Sequence, residues 1–400
     1  MDRPADPSTV REFSIHLEDA VLGDLRQRLT QTRWPDPQTV SDWSQGIPLA
    51  TVRELCGYWG NHYRWRDREQ ALNVHQQVMV HLDGLDIHCV HARSPHREAT
   101  PLVLTHGWPG SFVEYLGLVD ELTTPASGRP EDAFHVVLPS LPGYGFSTRP
   151  ETTGVGVARI AKLWAGVMTS LGYERFGAGG SDWGTSVSAA LGQQCPDRVL
   201  GLCLIPPLAA PDRSTFGDLT AAERSALDDL STANATGSAY AAMHTTRPQT
   251  AGYALVDSPV ALCAWMLEKF WSWTDHDGDL YDVIDRDTVL DMVMIYWATA
   301  TGASSLRLYW ESFEEINRIF NENVADLIEV PVSASIFPRE VPRVSRRWAE
   351  RRFPHIVQWR EHERGGHFAA LEQPRAVVDD IRDFFSVLRA GEQRRHGLDV

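Results

Sequence analysis

Short apolar runs that alternate with amphipathic stretches dominate the pattern of hydrophobic and polar positions from residue 101 onward. The runs with the length and composition of buried strands are LVLT (102–105), FHVVLPS (134–140), VLGLCLIP (199–206), VPVSASIF (330–337) and HIVQW (355–359). Helices are predicted between them, for example over residues 112–122, where Ser111 and Glu114 indicate a capping box, and over 157–171. Alternation of this kind is typical of a parallel sheet with helices on both faces.

Two stretches depart from this alternation. Residues 1–95 are rich in Trp and charge, and within them VMVHLDGLDIHCVHA (78–92) alternates around Asp83-Gly84 as a hairpin does. A mostly helical, aromatic-rich stretch separates two of the predicted strands further along the chain. We therefore expect four parts: an N-terminal segment (1–95), a core (96–206), a helical cap over the active site (207–325) and the second part of the core (326–400).

Composition narrows the functional classes. The chain has 400 residues and a formal net charge of −16, which opposes binding to a phosphate backbone, so we expect no nucleic acid partner. Its five cysteines are scattered and form no CxxC pair, which favours a reducing cytoplasm and predicts neither disulfides nor a metal site. Because no apolar run is long enough for a spanning helix, no membrane anchor is expected.

The stretch AGGSDWGT (178–185) carries the first candidate chemistry. The strand-to-helix turn G-x-Nu-x-G holds a nucleophile in a strained backbone and needs small residues two positions to either side. Ser181 as nucleophile would put Trp183 at one of these positions, whereas Asp182 puts Gly180 and Gly184 there. The alternative interpretation is an Asp helix cap in an ordinary Gly-rich turn. The strand-helix context favours Asp182 as a nucleophile.

A base and an acid follow in the chain order nucleophile, acid, His that doubly wound hydrolases use. His367 lies in the Gly-rich loop RGGHF (364–368) after the last predicted strand. The acid that orients it should follow an earlier strand. Glu340, after SASIFPR, is preferred, and Asp212, after the strand 199–206, is the alternative.

The loop HGWP (106–109) occupies the place from which hydrolases of this fold take one oxyanion amide, the second amide being that of the residue after the nucleophile. This predicts the backbone N–H groups of Trp108 and Trp183 as the oxyanion hole. His106 is then expected to be a structural hydrogen-bonding residue, with Gly107 and Pro109 as parts of the same motif.

An Asp nucleophile also indicates the type of substrate. Asp is ionised at neutral pH and needs no base to attack. It suits displacement at an sp³ carbon, which gives an alkyl ester that water activated by His367 then hydrolyses. Attack on an acyl group would give only an anhydride, so ester and amide substrates are disfavoured.

The chain resembles epoxide hydrolases of the microsomal type, and the resemblance covers most of its length. The motifs that carry it are FSIHLEDAVLGDLRQRLTQTRWPD, HGWPGS, LPGYGFS, GGSDWG, DSPVALCAWMLEKFWSW and RGGHFAALEQP. The resemblance implies an α/β-hydrolase fold with a helical cap and an N-terminal extension, and conversion of a small-molecule epoxide and water to a vicinal diol without cofactor or metal.

The resemblance also implies individual roles: Asp182 as nucleophile, Glu340 as acid and His367 as base. Two cap tyrosines that polarise the epoxide oxygen correspond to Tyr309, in SSLRLYWE, and Tyr240, in the more weakly matched GSAYAAMHTTRP. Membrane-bound relatives carry an N-terminal anchor, whereas this chain begins with the soluble segment. It is therefore compared with soluble bacterial members, some of which act on epoxide intermediates of secondary metabolism.

Two alternatives remain at this point. A haloalkane dehalogenase also uses an Asp followed by Trp at this elbow, and aromatic N–H donors in place of paired phenols would distinguish it. A non-catalytic ligand-binding protein of the same fold would have lost a catalytic residue, and none is lost here. The sequence leaves open the identity of the epoxide and the oligomeric state, a homodimer included.

Overall fold

One nine-stranded sheet forms the centre of the computed structural model, which describes residues 9–321 and 327–395. The strands are β1 (Thr9–Phe13), β2 (Gln77–Leu82), β3 (Leu85–Ala92), β4 (Thr100–Thr105), β5 (Phe134–Pro139), β6 (Phe176–Ser181), β7 (Val199–Ile205), β8 (Val332–Ile336) and β9 (Ile356–Glu361). Their order across the sheet is β1-β2-β3-β5-β4-β6-β7-β8-β9. The pairs from β1 to β5 are antiparallel and all pairs from β5 to β9 are parallel. The expectation of a mostly parallel sheet is confirmed.

Helices occupy most of the remaining described chain. They are α1 (Asp19–Thr30), α2 (Leu49–Asn61), α3 (Trp65–Leu72), α4 (Val113–Thr123), α5 (Val157–Ser170), α6 (Trp183–Gln194), α7 (Ala221–Thr232), α8 (Ala239–Thr246), α9 (Pro248–Asp257), α10 (Pro259–Trp273), α11 (Arg286–Ala298), α12 (Arg307–Asn321), α13 (Arg346–Ala349), α14 (Ala369–Glu372) and α15 (Pro374–Arg395). Helices α7 to α12 lie between β7 and β8, and we call them the cap. Among the described helices none is by itself long and apolar enough to cross a membrane; α9 and α10, bent by 116° at their junction, meet the length and composition criteria only as a pair.

Two groups of helices cover the core of the sheet. Helices α5 and α6 pack against each other, and α4, α14 and α15 form a second packed group. Every residue of β5 and β6 is buried, because strands covered on both faces expose no side chains to water. The end of β6 is therefore held rigidly in the interior, and the chain leaves it at Asp182.

The N-terminal segment packs against the cap. Its hairpin β2–β3 turns at Asp83-Gly84, as predicted, with Leu82 paired to Leu85. Helices α1 and α2 contact α10 of the cap, and the ring of Trp43 stacks on that of Trp271 with centroids 3.9 Å apart. These contacts join the first part of the chain to the helices above the sheet.

The capping box predicted at the start of α4 is wrong. Ser111 Oγ accepts the Val113 N–H at 3.3 Å, but the Glu114 side chain does not reach back to the helix start. Its buried carboxylate instead accepts the Ser181 hydroxyl at 2.8 Å. Glu114 is therefore paired with Ser181, a residue distant in sequence that directly precedes Asp182, and not with the start of its own helix.

Candidate active site

Asp182 sits on a strained turn between β6 and α6. Its φ of 51° and ψ of −124° lie in a region that a non-glycine residue adopts only when its surroundings impose it. The flanking glycines make this turn possible, because a Cβ on Gly180 or Gly184 would lie 2.2 or 1.8 Å from the carbonyl oxygen of Thr105. The two glycines that the G-x-Nu-x-G spacing places on either side of Asp182 are thus both closely packed against backbone.

The loop after β4 lies against the Asp182 carboxylate. The backbone N–H of Trp108 donates to Asp182 Oδ1 at 2.9 Å, and the backbone N–H of Trp183 is hydrogen bonded to the same carboxylate. A Cβ on Gly107 would come within 2.0 Å of Asp182 Oδ1, so the approach requires glycine. Pro109 continues the loop through a cis peptide bond with Trp108. Both predicted oxyanion donors therefore meet at one carboxylate.

His106 makes hydrogen bonds only to the main chain. The Leu141 N–H donates to its Nε2 at 3.2 Å, so its Nδ1 carries the proton and donates to the Gly107 carbonyl oxygen at 2.9 Å. Burial lowers the pKa of His106 to about 4, which keeps the ring neutral. The ring links the loop after β4 to the loop after β5.

His367 lies between two carboxylates. Its Nδ1–H donates to Glu340 Oε1 at 3.0 Å, and its Nε2 lies 3.9 Å from Asp182 Oδ2. All three side chains are largely removed from solvent. The imidazole is thus oriented by one carboxylate and directed at the other.

The alternative acid, Asp212, lies elsewhere. Its carboxylate accepts the Ser214 N–H at 2.9 Å and pairs with Arg351 at 3.2 Å. The structure brings Glu340, and not Asp212, to His367.

Charge in the site is strongly coupled. Burial alone would lower the pKa of His367, but the charge and hydrogen bond of Glu340 and the charge of Asp182 outweigh it and raise that pKa to about 10. Burial raises the pKa of Asp182 above its ordinary value, although His367 and the two backbone amides favour its charged form. His367 therefore favours its protonated form at neutral pH, beside the Asp182 carboxyl group.

Tyr309 on α12 and Tyr240 on α8 lie against Trp108 and Trp183. The centroids of their rings are 6.0 Å apart; Tyr240 stacks on Trp108 at 5.3 Å, and Tyr309 packs edge-on against Trp183 at 4.8 Å. Within the described chain, the buried Tyr309 hydroxyl makes no hydrogen bond of good geometry, although the side chains of Tyr240 and Trp183 interact with it. Burial raises the pKa of both phenols above the usual value, so both are neutral O–H donors. The cap thus places two donors beside Asp182.

His244 belongs to the same cluster and was not predicted. It lies one helical turn after Tyr240, and its ring packs edge-on against Trp108 at 4.7 Å and Tyr309 at 4.8 Å. Trp265 Nε1–H donates to its Nε2 at 3.0 Å, and burial lowers its pKa to about 3. Its i, i+4 spacing from Tyr240 could have indicated a shared helix face.

Three further charged groups near the site were also missed. The Lys269 ammonium lies 4.6 Å from the ring centroid of Tyr240, Glu114 is buried behind Ser181, and Glu372 is buried beside the loop of His367. Burial raises the pKa of Glu114 to about 7. Across the described ranges, 9–321 and 327–395, no three His, Cys, Asp or Glu residues are grouped so as to hold a metal ion.

Comparisons with known proteins test the family and the fold of the chain. Residues 10–115 match the family described as Epoxide hydrolase N terminus, and residues 100–252 match the alpha/beta hydrolase fold. The chain is 46% identical over 383 residues to a protein of Stigmatella aurantiaca that is provisionally named an epoxide hydrolase, covering 95% of this chain and 86% of the relative. It is 32% identical to Epoxide hydrolase 1 of Sus scrofa over 96% of this chain and 90% of that protein.

Solved structures give the same result. The crystal structure of juvenile hormone epoxide hydrolase from the silkworm Bombyx mori superimposes with a TM-score of 0.89 at 26% identity, covering 96% of each chain. The Aspergillus niger epoxide hydrolase superimposes with a TM-score of 0.85 at 30% identity, covering 95% of this chain and 97% of the other. The chain belongs to the epoxide hydrolase family and has its α/β-hydrolase fold.

Proposed function

We propose that this enzyme hydrolyses an epoxide to a vicinal diol in two steps, through an ester between the substrate and Asp182. The observation that carries the proposal is the convergence of three groups on one buried carboxylate. Two backbone amides and His367 approach Asp182, and two neutral phenols lie over the same place. The first step uses the carboxylate and the phenols, and the second uses His367 and the two backbone amides.

In the first step the Asp182 carboxylate attacks a ring carbon of the epoxide. A carbon–oxygen bond forms to Asp182, the ring carbon–oxygen bond breaks, and the ring oxygen takes a proton from Tyr309 or Tyr240. The phenols stabilise negative charge as it develops on that oxygen. Because Asp182 is ionised in the resting site, this step needs no base.

In the second step a water molecule attacks the ester carbonyl carbon while His367 takes its proton. Alkylation has removed the negative charge of Asp182, so one of the charges that raise the pKa of His367 is gone. The imidazolium gives its proton to the phenolate left by the first step, and the neutral imidazole becomes available as base. The N–H groups of Trp108 and Trp183 stabilise the tetrahedral oxyanion. On collapse the leaving alkoxide takes the proton from His367 and departs as the diol. The carboxyl group left on Asp182 then gives its proton to His367, which restores the carboxylate and the imidazolium.

The aromatic surroundings favour a substrate that is apolar next to its epoxide. Trp108, Trp183 and Trp273 lie around the two phenols and the imidazole. That the natural epoxide is an intermediate of secondary metabolism stays a proposal from the resemblance. A cytoplasmic location and a homodimer likewise stay predictions from the sequence.

An activity panel tests the proposed reaction. Purified enzyme should convert aryl, terpenoid and polyketide-like epoxides to diols. Asp182→Asn should abolish this conversion, while the variant should still unfold cooperatively on heating, which shows that it is folded. The same preparation should release no halide from 1-haloalkanes. Halide release without diol from any epoxide would identify a dehalogenase, and binding of epoxides without turnover would identify a ligand-binding protein.

A further inference from the structure

Four consecutive backbone N–H groups in the loop that carries His367 are all tied to groups beyond that loop. The pairs are Gly365 N–H to Asp275 Oδ2 (2.8 Å), Gly366 N–H to Glu372 Oε2 (2.8 Å), His367 N–H to the Trp273 carbonyl oxygen (2.9 Å) and Phe368 N–H to Glu372 Oε1 (2.9 Å). Two of these acceptors lie in the cap, at the end of α10 and just after it. The other two are the two oxygens of one carboxylate on α14. The loop is therefore fixed from both sides at every residue.

Glu372 is the centre of this arrangement. Besides the amides of Gly366 and Phe368, it accepts the backbone N–H of Asp275 at 2.7 Å. The carboxylate is buried, and burial raises its pKa to about 7 against the three amide donors, which favour the charged form. A buried carboxylate that accepts only main-chain N–H groups holds backbone in place, since each lost acceptor leaves a buried donor unpaired.

The cap side of the loop is packed as closely. A Cβ on Gly366 would lie 2.3 Å from the Trp273 carbonyl oxygen, so the two backbones are in direct contact. The Trp273 ring lies 4.7 Å from the imidazole of His367, and Asp275 Oδ2 also accepts Arg364 Nε–H at 3.0 Å. The end of α10 and the base thus share one backbone interface.

We propose that Glu372 is a positioning residue for His367, and that it acts by joining the loop of the base to the cap segment Trp273–Asp275. The inference rests on the proposed two-step function, because only ester hydrolysis needs the base. A displacement of about 1 Å in a reacting group can cost on the order of 10²-fold in rate. Loss of this connection should slow the second step and spare the first, which uses Asp182 and the phenols.

Glu372→Gln tests the proposal by separating the two steps. The amide cannot accept three N–H groups, because its NH2 would oppose at least one of them. In single turnovers with an epoxide substrate, ester formation should stay within about twofold of the unmodified enzyme, and ester decay should slow by roughly 10-fold to 100-fold. In the steady state kcat and KM should fall together with kcat/KM unchanged.

The control is Asp380→Asn. Asp380 is a second buried carboxylate, which accepts Ser335 Oγ–H at 2.5 Å and pairs with His362 Nε2 at 2.8 Å; within the described chain none of its hydrogen bonds is to residues 364–368. It should change neither step selectively. Equal losses in both steps of Glu372→Gln, or a selective loss of ester decay in Asp380→Asn, would show a general structural effect and overturn the proposal.

A second variant keeps the test valid if Glu372→Gln folds poorly. A measurement that needs no turnover makes the test independent of the proposed function. Asp275→Ala removes the acceptor of the Gly365 N–H from the cap side and should also slow ester decay more than ester formation. Hydrogen exchange of the amides of residues 365–368 should be faster in both variants. Unchanged exchange there contradicts the inference alone, whereas absence of ester and diol in the unmodified enzyme contradicts the proposed function.

Discussion

At the scale of single residues, the charges of Asp182 and His367 depend on each other. The carboxylates of Glu340 and Asp182 hold His367 protonated in the resting site, with a pKa of about 10. A base must be neutral to accept a proton, so in the proposed mechanism the resting site favours alkylation, and formation of the ester is what makes the imidazole available as a base.

This coupling predicts the direction of a pKa change. Removing a neighbouring negative charge destabilises the imidazolium, so Asp182→Asn and Glu340→Gln should each lower the pKa of His367 below about 10. Titration by NMR of ¹³C-labelled histidine measures it, and Asp212→Asn is the control because Asp212 pairs with Arg351 instead. For the same reason the rate of ester hydrolysis should rise with pH around a midpoint below 10. A midpoint that does not move in either variant contradicts the assigned contacts.

His367→Gln should separate the two chemical steps. Alkylation needs no base, so intact mass should show enzyme plus one substrate, while turnover should fall by on the order of 10²-fold or more. His362→Gln is a matched control, because His362 also pairs with a carboxylate, Asp380, on the same side of the molecule. A His367→Gln enzyme that turns over normally and accumulates no ester has another base.

Tyr309→Phe and Tyr240→Phe should slow ester formation. Each loses one donor to the developing oxyanion, which raises the barrier by roughly 2–4 kcal/mol, and the double variant should nearly abolish alkylation. Tyr63→Phe is the control, since this half-buried phenol donates to Asp291 at 2.7 Å, outside the site. Rapid-quench measurement of the ester tests the prediction; normal alkylation in the double variant would remove the phenols from the mechanism.

The site residues could be predicted best where their chemistry depends on residues that are close to them in the sequence. Asp182 could be selected because its two glycines are required by the backbone at the same turn. Tyr309 and Tyr240 came only from resemblance, because their approach depends on how α8 and α12 pack. Glu114 was assigned to a local cap, and Glu372 to no role, because the partners of both carboxylates are brought to them by the tertiary fold.

At the scale of elements, β4, β5, β7, β8 and β9 were predicted within a few residues because each is a short apolar run between helical stretches, whereas β1 was not predicted. The cap was foreseen as a helical stretch but not as six helices in a given arrangement, since amphipathic periodicity does not specify which faces meet. The contacts that attach the N-terminal segment to the cap could also not be predicted from the sequence. Arg68 of α3 bonds to the fully buried carboxylate of Asp291 on α11, with Nε at 2.9 Å.

Arg68→Ala should therefore destabilise the fold far more than loss of a surface ion pair. It leaves a buried carboxylate without its cation, which costs about 3 kcal/mol, at the lower end of the usual range because the guanidinium is partly exposed. Arg64→Ala removes the neighbouring pair with Asp67, whose side chains are both exposed, and should cost no more than about 1 kcal/mol. Chemical denaturation compares the two; equal costs would mean that the Arg68 contact contributes no more than a surface pair.

At the scale of the whole molecule, distant parts of the chain meet at one site. The end of β6, the loop after β4, two cap helices and the loop after β9 each contribute one side of it. The N-terminal segment packs on the cap through α1 and α2 and so supports the helices that carry the phenols. The proposed mechanism needs all of these parts at once, and its central claim is the ester on Asp182.

That claim is tested most directly by a single turnover in ¹⁸O-labelled water, with enzyme in excess over an epoxide that it converts. Water is predicted to attack the ester carbonyl carbon, so the first diol should contain no ¹⁸O, and a peptide containing Asp182 should gain one labelled oxygen. Mass spectrometry of the diol and of the digested enzyme reads both results. A labelled diol from the first turnover, with Asp182 unlabelled, would show direct attack of water on the epoxide and contradict the account.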